Sequence, residues 1–339
     1  MVTSYFDEYC YKFPGIVIEI LEYFDSTNKS FGQPRDKSVL QFCSMHMNGG
    51  VYIYQPNIVD RICNKLCEKT ILQCLNNSDP FGMKNNYLLL LRDKKLFTQD
   101  RSRFSFYLNC TVYGFEYIYE IYKKIVVPLV WEKDDGDYSA GTGFMFLDGI
   151  VTAKHCITDA NNLQIRGFNA EDLNGKSIYI SDNEGIDLAF IHTGKDNSSP
   201  IYTDEGKIMQ EVLVMGYPKI PAFTDFLTAE RATISSKASS RITPTKGFIA
   251  SSGFQYLSKM EALLITARIR GGNSGGPVIN QDGCLVGIAC QLPDTSCNSG
   301  DYDDLGYGVA VPVSYLSELI IKKSKTLDVP SDFFRDFSE

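Results

Sequence analysis

Three short stretches of the chain hold side chains that together suit nucleophilic catalysis. Thr152-Ala153-Lys154-His155-Cys156 places a histidine after the β-like run Gly143–Leu147 and the turn Asp148-Gly149. Asp187-Leu188-Ala189-Phe190 places a carboxylate at the start of an apolar run. Gly271-Gly272-Asn273-Ser274-Gly275-Gly276-Pro277 frames a serine with glycines. A serine hydroxyl attacks a carbonyl when a base takes its proton, and a carboxylate fixes the tautomer of that base and stabilises its charged form. His155, Asp187 and Ser274 supply those types in the order His, Asp, Ser. The glycines let the backbone turn sharply enough for amide N–H groups to face a developing oxyanion. Singly, each stretch has an ordinary explanation: a core histidine, an aspartate capping a turn, a turn-rich loop. Asp159 and Asp182 are rivals to Asp187, but neither opens an apolar run. Jointly the three point to acyl transfer.

In these motifs the chain resembles the trypsin-like (chymotrypsin-fold) serine proteases, over roughly residues 125–320. The resemblance implies that His155 is the general base, Asp187 orients it and Ser274 is the nucleophile. It implies an oxyanion hole from the N–H groups of Gly272 and Ser274. The implied fold is two six-stranded β-barrels, His155 and Asp187 coming from the first and Ser274 from the second. Cys156 follows the histidine, yet no cysteine stands near Gly141–Phe144, where secreted relatives place its disulfide partner. Asn273 precedes the nucleophile where digestive relatives have an aspartate, so activation by N-terminal clipping is not implied. Val214-Met215-Gly216-Tyr217-Pro218 and Gly306-Tyr307-Gly308-Val309-Ala310-Val311-Pro312 resemble the cellular bacterial branch with the Deg-type proteases. Unlike those, no PDZ-sized segment follows the barrels, and the additional domain is N-terminal.

The resemblance also places a specificity pocket. The residue six before the nucleophile is Arg268, and the other walls come from Ala289–Leu292 and Gly308–Ala310. A guanidinium there favours an acidic residue before the scissile bond. Arg268, Ile269 and Arg270 alternate, so a shift of one residue turns Arg268 outward and leaves a pocket for small aliphatic side chains. Both readings stand at this point. Cleavage after Lys or Arg is disfavoured, since these walls offer no carboxylate.

The elements that position these residues are short. From Ile125 onward, β-like runs alternate with Gly-, Asp-, Asn- and Pro-rich turns: Ile125–Trp131, Gly143–Leu147, Lys176–Ile180, Leu188–His192, Val212–Met215, Leu263–Ile269, Leu285–Ala289 and Gly308–Val311. That texture is all-β. A closing helix is expected with Ser314 as its N-cap, and Lys322, Lys323 and Lys325 near its end suit the dipole. Before Ile125 the pattern is different. A helical stripe lies in Phe13–Phe24, a helix near Pro56–Asn57, turn formers at Asn76–Gly82, a strand at Tyr87–Leu91 and a helix at Tyr113–Lys124. The expected fold is an all-β double β-barrel with a C-terminal helix, preceded by a small α+β domain of possible winged-helix type. The domains are expected at 1–122, 123–322 and, as a tail, 323–339.

Composition narrows the setting. The 339 residues are 44% hydrophobic and 22% charged, ordinary globular usage that argues against disorder. The net charge of −8 argues against a whole-protein nucleic-acid binder. It divides unevenly: residues 1–124 hold 15 basic and 13 acidic residues, residues 125–339 hold 18 and 28. A basic segment, Lys84–Arg103, leaves nucleic acid as a minor option beside the simpler reading of a solvated face. No apolar run approaches a membrane span, and Asp7 and Glu8 precede any basic residue, unlike a secretory signal. The ten cysteines are irregularly spaced and Cys63–Cys67 has no second pair, so reduced cytoplasmic thiols are expected and a zinc site is not. The mechanism needs no metal or organic cofactor.

The sequence thus predicts a cytoplasmic serine endopeptidase acting on protein substrates, of bacterial style, with a signal or regulatory partner at its N-terminal domain. The competing readings are a catalytically silent protease-fold binding protein and a nucleic-acid-responsive switch.

Overall fold

The computed structural model describes residues 4–27, 37–76, 79–90, 100–133, 138–196, 201–218, 241–256, 258–290 and 307–337. Residues 91–99 of the basic Lys84–Arg103 segment, with Arg92, Lys94 and Lys95, and the pocket wall Gln291–Leu292, lie outside them. The chain divides into two compact units, Met1–Ile118 and Tyr119–Glu339.

The first unit is helical, with two small hairpins. Helix α1 (Tyr5–Lys12) starts at a capping box between Ser4 and Asp7, and α3 (Val39–Met45) at one between Ser38 and Gln41. Between them α2 (Ile16–Phe24) buries Ile16, Val17, Ile20, Leu21 and Phe24. Strands β1 (Met47–Asn48) and β2 (Val51–Tyr52) turn at Gly49-Gly50, where both glycines have positive φ. Helix α4 (Pro56–Glu68) opens with proline in its first turn, where the missing N–H costs nothing. Strands β3 (Leu72–Asn76) and β4 (Asn86–Leu89) pair antiparallel, followed by α5 (Arg101–Tyr113), capped by Asp100. The core is aromatic and aliphatic, with Tyr9, Phe24, Phe42 and Tyr87 around Cys43 and Cys63. Burial pushes the Cys43 thiol up to about 12 and Cys63 well above its ordinary value, so both behave as small apolar groups. Helix α6 (Phe115–Tyr122) spans the division between the units.

The second unit is all-β with short helices. Its first sheet collects β5 (Val126–Glu132), β6 (Tyr138–Phe146), β7 (Gly149–Thr152), β8 (Asn161–Ile165), β9 (Ile178–Ile180) and β10 (Ala189–His192), with α7 (His155–Thr158) and α8 (Ala170–Leu173) between strands. The second system is β11 (Glu211–Gly216), β12 (Thr243–Gln255), β13 (Met260–Ile265), β14 (Pro277–Asn280), β15 (Leu285–Cys290) and β16 (Gly308–Pro312), closed in the order β11-β12-β13-β16-β15-β14. Val212, Val214, Ile249, Leu263, Ile265, Val278 and Val286 fill this barrel. This is the chymotrypsin-like arrangement, with an N-terminal α+β region before it.

Two details differ from expectation. Helix α9 (Val313–Lys322) starts two residues early, with Pro312 rather than Ser314 at the cap position and no side-chain cap bond, so Ser314 lies inside its first turn. The residues after it are not a loose tail. Strand β17 (Lys325–Thr326) pairs with β9 and β18 (Phe334–Arg335) pairs parallel with β8, giving the order β17-β9-β10-β7-β6-β5-β8-β18. The first sheet is therefore eight-stranded rather than a six-stranded closed barrel, because the tail takes the edge bonds of β8 and β9. Phe333 and Phe334 are buried in its core with Leu129, Trp131, Ile157, Leu163 and Ile178. Asn174 locks the second edge, accepting from the Phe334 N–H at 2.9 Å and donating to the Phe334 carbonyl at 3.2 Å.

Candidate active site

His155 opens the one-turn helix α7, three residues after β7 ends. Asp187 stands just before β10, at the end of a turn built by Asn183. The Asn183 side chain accepts from Gly185 N–H at 3.0 Å, and its carbonyl accepts from Ile186 N–H at 3.0 Å. Adjacent strands β7 and β10, paired from Gly149↔His192 to Thr152↔Ala189, bring the two residues together. Asp187 takes two bonds from His155: the backbone N–H reaches Oδ1 at 2.9 Å and Nδ1 reaches Oδ2 at 2.7 Å. This two-point grip sets the ring plane and assigns the Nδ1–H tautomer, leaving Nε2 as the acceptor. Burial alone lowers the His155 pKa, but the Asp187 hydrogen bond, then the Cys156 contact, outweigh it and raise the pKa above 6.5.

Ser274 lies in the turn between β13 and β14 and is 4% exposed. The turn is held by backbone bonds: Asn273 N–H to Arg270 O at 2.9 Å, Gly276 N–H to Asn273 O at 2.9 Å and Gly275 N–H to Ala289 O at 2.7 Å. Gly275 has φ +87°, and a Cβ there would lie 2.1 Å from Thr142 O, so no other residue fits without displacing β6. Among the described residues the N–H groups of Gly272 and Ser274 donate to no protein acceptor. Cys156 sits between the two halves, its Sγ 3.6 Å from His155 Nε2 and 3.8 Å from the Ser274 carbonyl. Among the described residues no hydrogen bond joins Ser274 Oγ to His155. Such bonds are often long in unliganded sites and tighten around substrate.

The expected specificity residues separate. Arg268 is exposed, and among the described residues its one hydrogen bond is at its carbonyl, from the Thr245 hydroxyl at 3.0 Å. Ile269 instead packs towards the barrel core and against Gly308, where a Cβ would lie 2.7 Å from its Cδ1. Ala289 is fully buried with its side chain in the barrel core, so it supports the nucleophile turn through its backbone. The structure adds Thr142 and Tyr217, which sequence reasoning missed. The signal for Thr142 was its place between Gly141 and Gly143 in a strand, a mark of close backbone approach.

A family model described as a trypsin-like peptidase domain matches residues 141–288, which include His155, Asp187 and Ser274. Serine protease HTRA1A of Danio rerio is 29% identical over 178 residues, 50% of this chain and 33% of that protein. Protease Do-like 2, chloroplastic, of Arabidopsis thaliana is 24% identical over 198 residues, 57% of this chain and 29% of that protein. The matches thus span about a third of these relatives' own length. A solved protease of M. tuberculosis, in its active form, aligns with a TM-score of 0.45 and 18% identity over 63% of this chain and 87% of that one. Residues 141–288 thus match the trypsin-like peptidase domain, and the curated relatives that this part of the chain resembles are of the HtrA/Deg type.

Proposed function

We propose that the protein is a cytosolic serine endopeptidase whose catalytic residues are His155, Asp187 and Ser274. The observation that carries this reading is the two-point hydrogen bond from His155 to Asp187, beside a glycine turn that presents Ser274. In the reaction His155 Nε2 takes the Ser274 proton as Oγ bonds to the peptide carbonyl carbon. Asp187 stabilises the imidazolium that forms. The tetrahedral oxyanion receives hydrogen bonds from the Gly272 and Ser274 N–H groups. On collapse the C–N bond breaks and the leaving amine takes the proton from His155. Water then repeats the sequence on the acyl-enzyme and frees Ser274.

Ile269 facing Gly308, with Arg268 outside, supports a preference for a small aliphatic residue before the scissile bond over an acidic one. The cysteines of the described residues are free, which supports a reducing compartment, and no helix among those residues is long and apolar enough to cross a membrane. Residues 1–122 are proposed as the module that receives a regulatory partner or signal, and residues 123–322 as the protease domain.

A second reading, a latent hydrolase completed on activation, is favoured by the missing Ser274–His155 bond. Covalent labelling with a fluorophosphonate probe tests both. Labelling of the full chain that vanishes in Ser274→Ala establishes the nucleophile. Labelling gained only when residues 1–122 are removed selects the latent form. No labelling of the full chain or of residues 123–339 overturns the hydrolase assignment.

A further inference from the structure

Strand β6 runs five residues, 138–142, past the end of β7. The last pair between them is Gly143↔Thr152, so the N–H and C=O of Thr142 on that side have no ladder partner. Thr142 is fully buried, where unpaired polar groups are costly. Each of its groups finds a partner. The N–H donates to the carbonyl of Ser274 at 2.9 Å, and the carbonyl accepts from Thr152 Oγ1 at 2.8 Å. The hydroxyl accepts from the Tyr217 N–H at 2.9 Å and donates to the carbonyl of Gly272 at 2.6 Å. A threonine hydroxyl has one proton, and since an N–H already points at its oxygen, that proton goes to Gly272.

Thr142 therefore spends both of its donors on the carbonyls of Gly272 and Ser274. These are the two residues whose N–H groups are without a protein acceptor. Holding the two carbonyls fixes the peptide planes that follow each N–H, and so limits rotation of the turn that must present both. The surroundings leave this clamp little slack. A Cβ on Gly216 would lie 2.9 Å from Thr142 Oγ1 and 2.7 Å from Asn273 Oδ1. Tyr217, which orients the hydroxyl, is itself tied by its own OH to the carbonyl of Val126 at 3.1 Å, at the start of β5.

We propose that Thr142 is a positioning residue for the oxyanion-binding turn: its hydroxyl holds the Gly272 carbonyl so that the Gly272 and Ser274 N–H groups face one point. The proposal rests on the serine-hydrolase reading, and its test separates the two. Thr142→Val keeps the shape and the backbone N–H but removes the hydroxyl; Thr142→Ser keeps the hydroxyl. Fluorophosphonate inactivation resolves into probe binding, Ki, and the bond-forming step, kinact, whose developing phosphoryl oxygen needs the two N–H groups.

Loss of a direct oxyanion donor costs about 100–1000-fold, so loss of its positioning group is expected to lower kinact by about 10–100-fold. Ki should stay near the wild-type value, and Thr142→Ser should recover most of kinact. Melting followed by the single tryptophan, Trp131, checks that both variants are folded. If wild type labels and Thr142→Val labels at the same kinact, the hydrolase reading stands and the clamp is overturned. A Thr142→Ser variant as slow as Thr142→Val also overturns it, since packing rather than the hydroxyl would then matter. If neither the full wild-type chain nor residues 123–339 labels, the hydrolase reading fails and the clamp falls with it; if only residues 123–339 label, the same comparison of Thr142→Val and Thr142→Ser is read in that form.

Discussion

The first sheet carries His155 and Asp187, the closed barrel carries Ser274, and the two hold their residues by different means. In the barrel, the β11–β14 pairing closes the ring, and the nucleophile turn hangs from backbone bonds to Ala289 and to its own carbonyls. The first sheet is not closed on itself. Its edges are completed by β17 and β18, drawn from the end of the chain, and His155 and Asp187 are joined through the aspartate side chain. A closed barrel removes its own edges, whereas an open sheet must borrow partners. The base half of the site therefore depends on edge strands from the end of the chain, and the nucleophile half on its own barrel's backbone bonds together with one distant residue, Thr142.

The largest expected effect tests the side-chain bonds of the first half. Asp187→Asn keeps the shape but cannot hold His155 in the Nδ1–H tautomer as an imidazolium partner, and kcat is expected to fall by about 10⁴-fold, about 5.5 kcal/mol. The pH profile should move as well. The pKa of His155 is raised above 6.5, so labelling by wild type rises with pH on a limb lying above 6.5. Without the carboxylate that limb shifts towards 6.5. The sign for stability is opposite: the charged pair stabilises the fold fully below pH 6.5 and that contribution is lost as pH rises through the folded pKa. Melting temperatures across this interval should fall in wild type more than in Asp187→Asn. An unshifted limb would mean that another group controls the base.

The next effect tests the borrowed edges. Removing residues 324–339 leaves every proposed catalytic residue in place, yet it strips β17, β18 and two buried phenylalanines from the first sheet. Labelling should be lost. Phe334→Ala alone should cost about 3–5 kcal/mol, read as a shift in urea midpoint. Trp131 lies in that sheet's core and is the one tryptophan of the chain, so its emission reports this half. If the truncated chain labels normally and Trp131 remains shielded, the edge strands are dispensable and the contrast between the two halves collapses.

Much of this organisation is legible in the sequence, for reasons that also explain what is not. The apolar runs at Val212–Met215 and Leu285–Ala289 announce strands because barrel strands are buried along most of their length. Strand β12 escapes because it is mostly exposed and polar, and forms by pairing with β11 and β13 on either side. The tail escapes for a different reason. Phe333 and Phe334 are adjacent and both buried, which breaks strand alternation, and their partner β8 lies about 170 residues earlier. In the first unit, α1 and α3 were not anticipated; both are short, and their capping boxes, Ser4–Asp7 and Ser38–Gln41, stand out only once the helices are seen. At the site, residue types and order single out His155, Asp187 and Ser274 as the proposed catalytic residues. For Thr142 the flanking Gly141 and Gly143 mark a close backbone approach, but not what approaches, since its partners Gly272 and Ser274 stand 130 residues and more away.

The smallest effect concerns which side chain the nucleophile half admits, and here the sequence left two answers open. Register decides between neighbours in an extended segment: of Arg268, Ile269 and Arg270, Ile269 packs inward against Gly308, and the two arginines are exposed. A peptide with valine before the scissile bond should then exceed its aspartate counterpart in kcat/KM by about 10–200-fold, the range set by about 1–3 kcal/mol in an apolar pocket. Arg268→Glu should leave that ratio within about twofold, because an exposed charge is screened by water and salt. A preference for aspartate that Arg268→Glu reverses would put the guanidinium in the pocket. It would also mean that this segment shifts by one residue when substrate binds, and the nucleophile half would then be the more adaptable of the two.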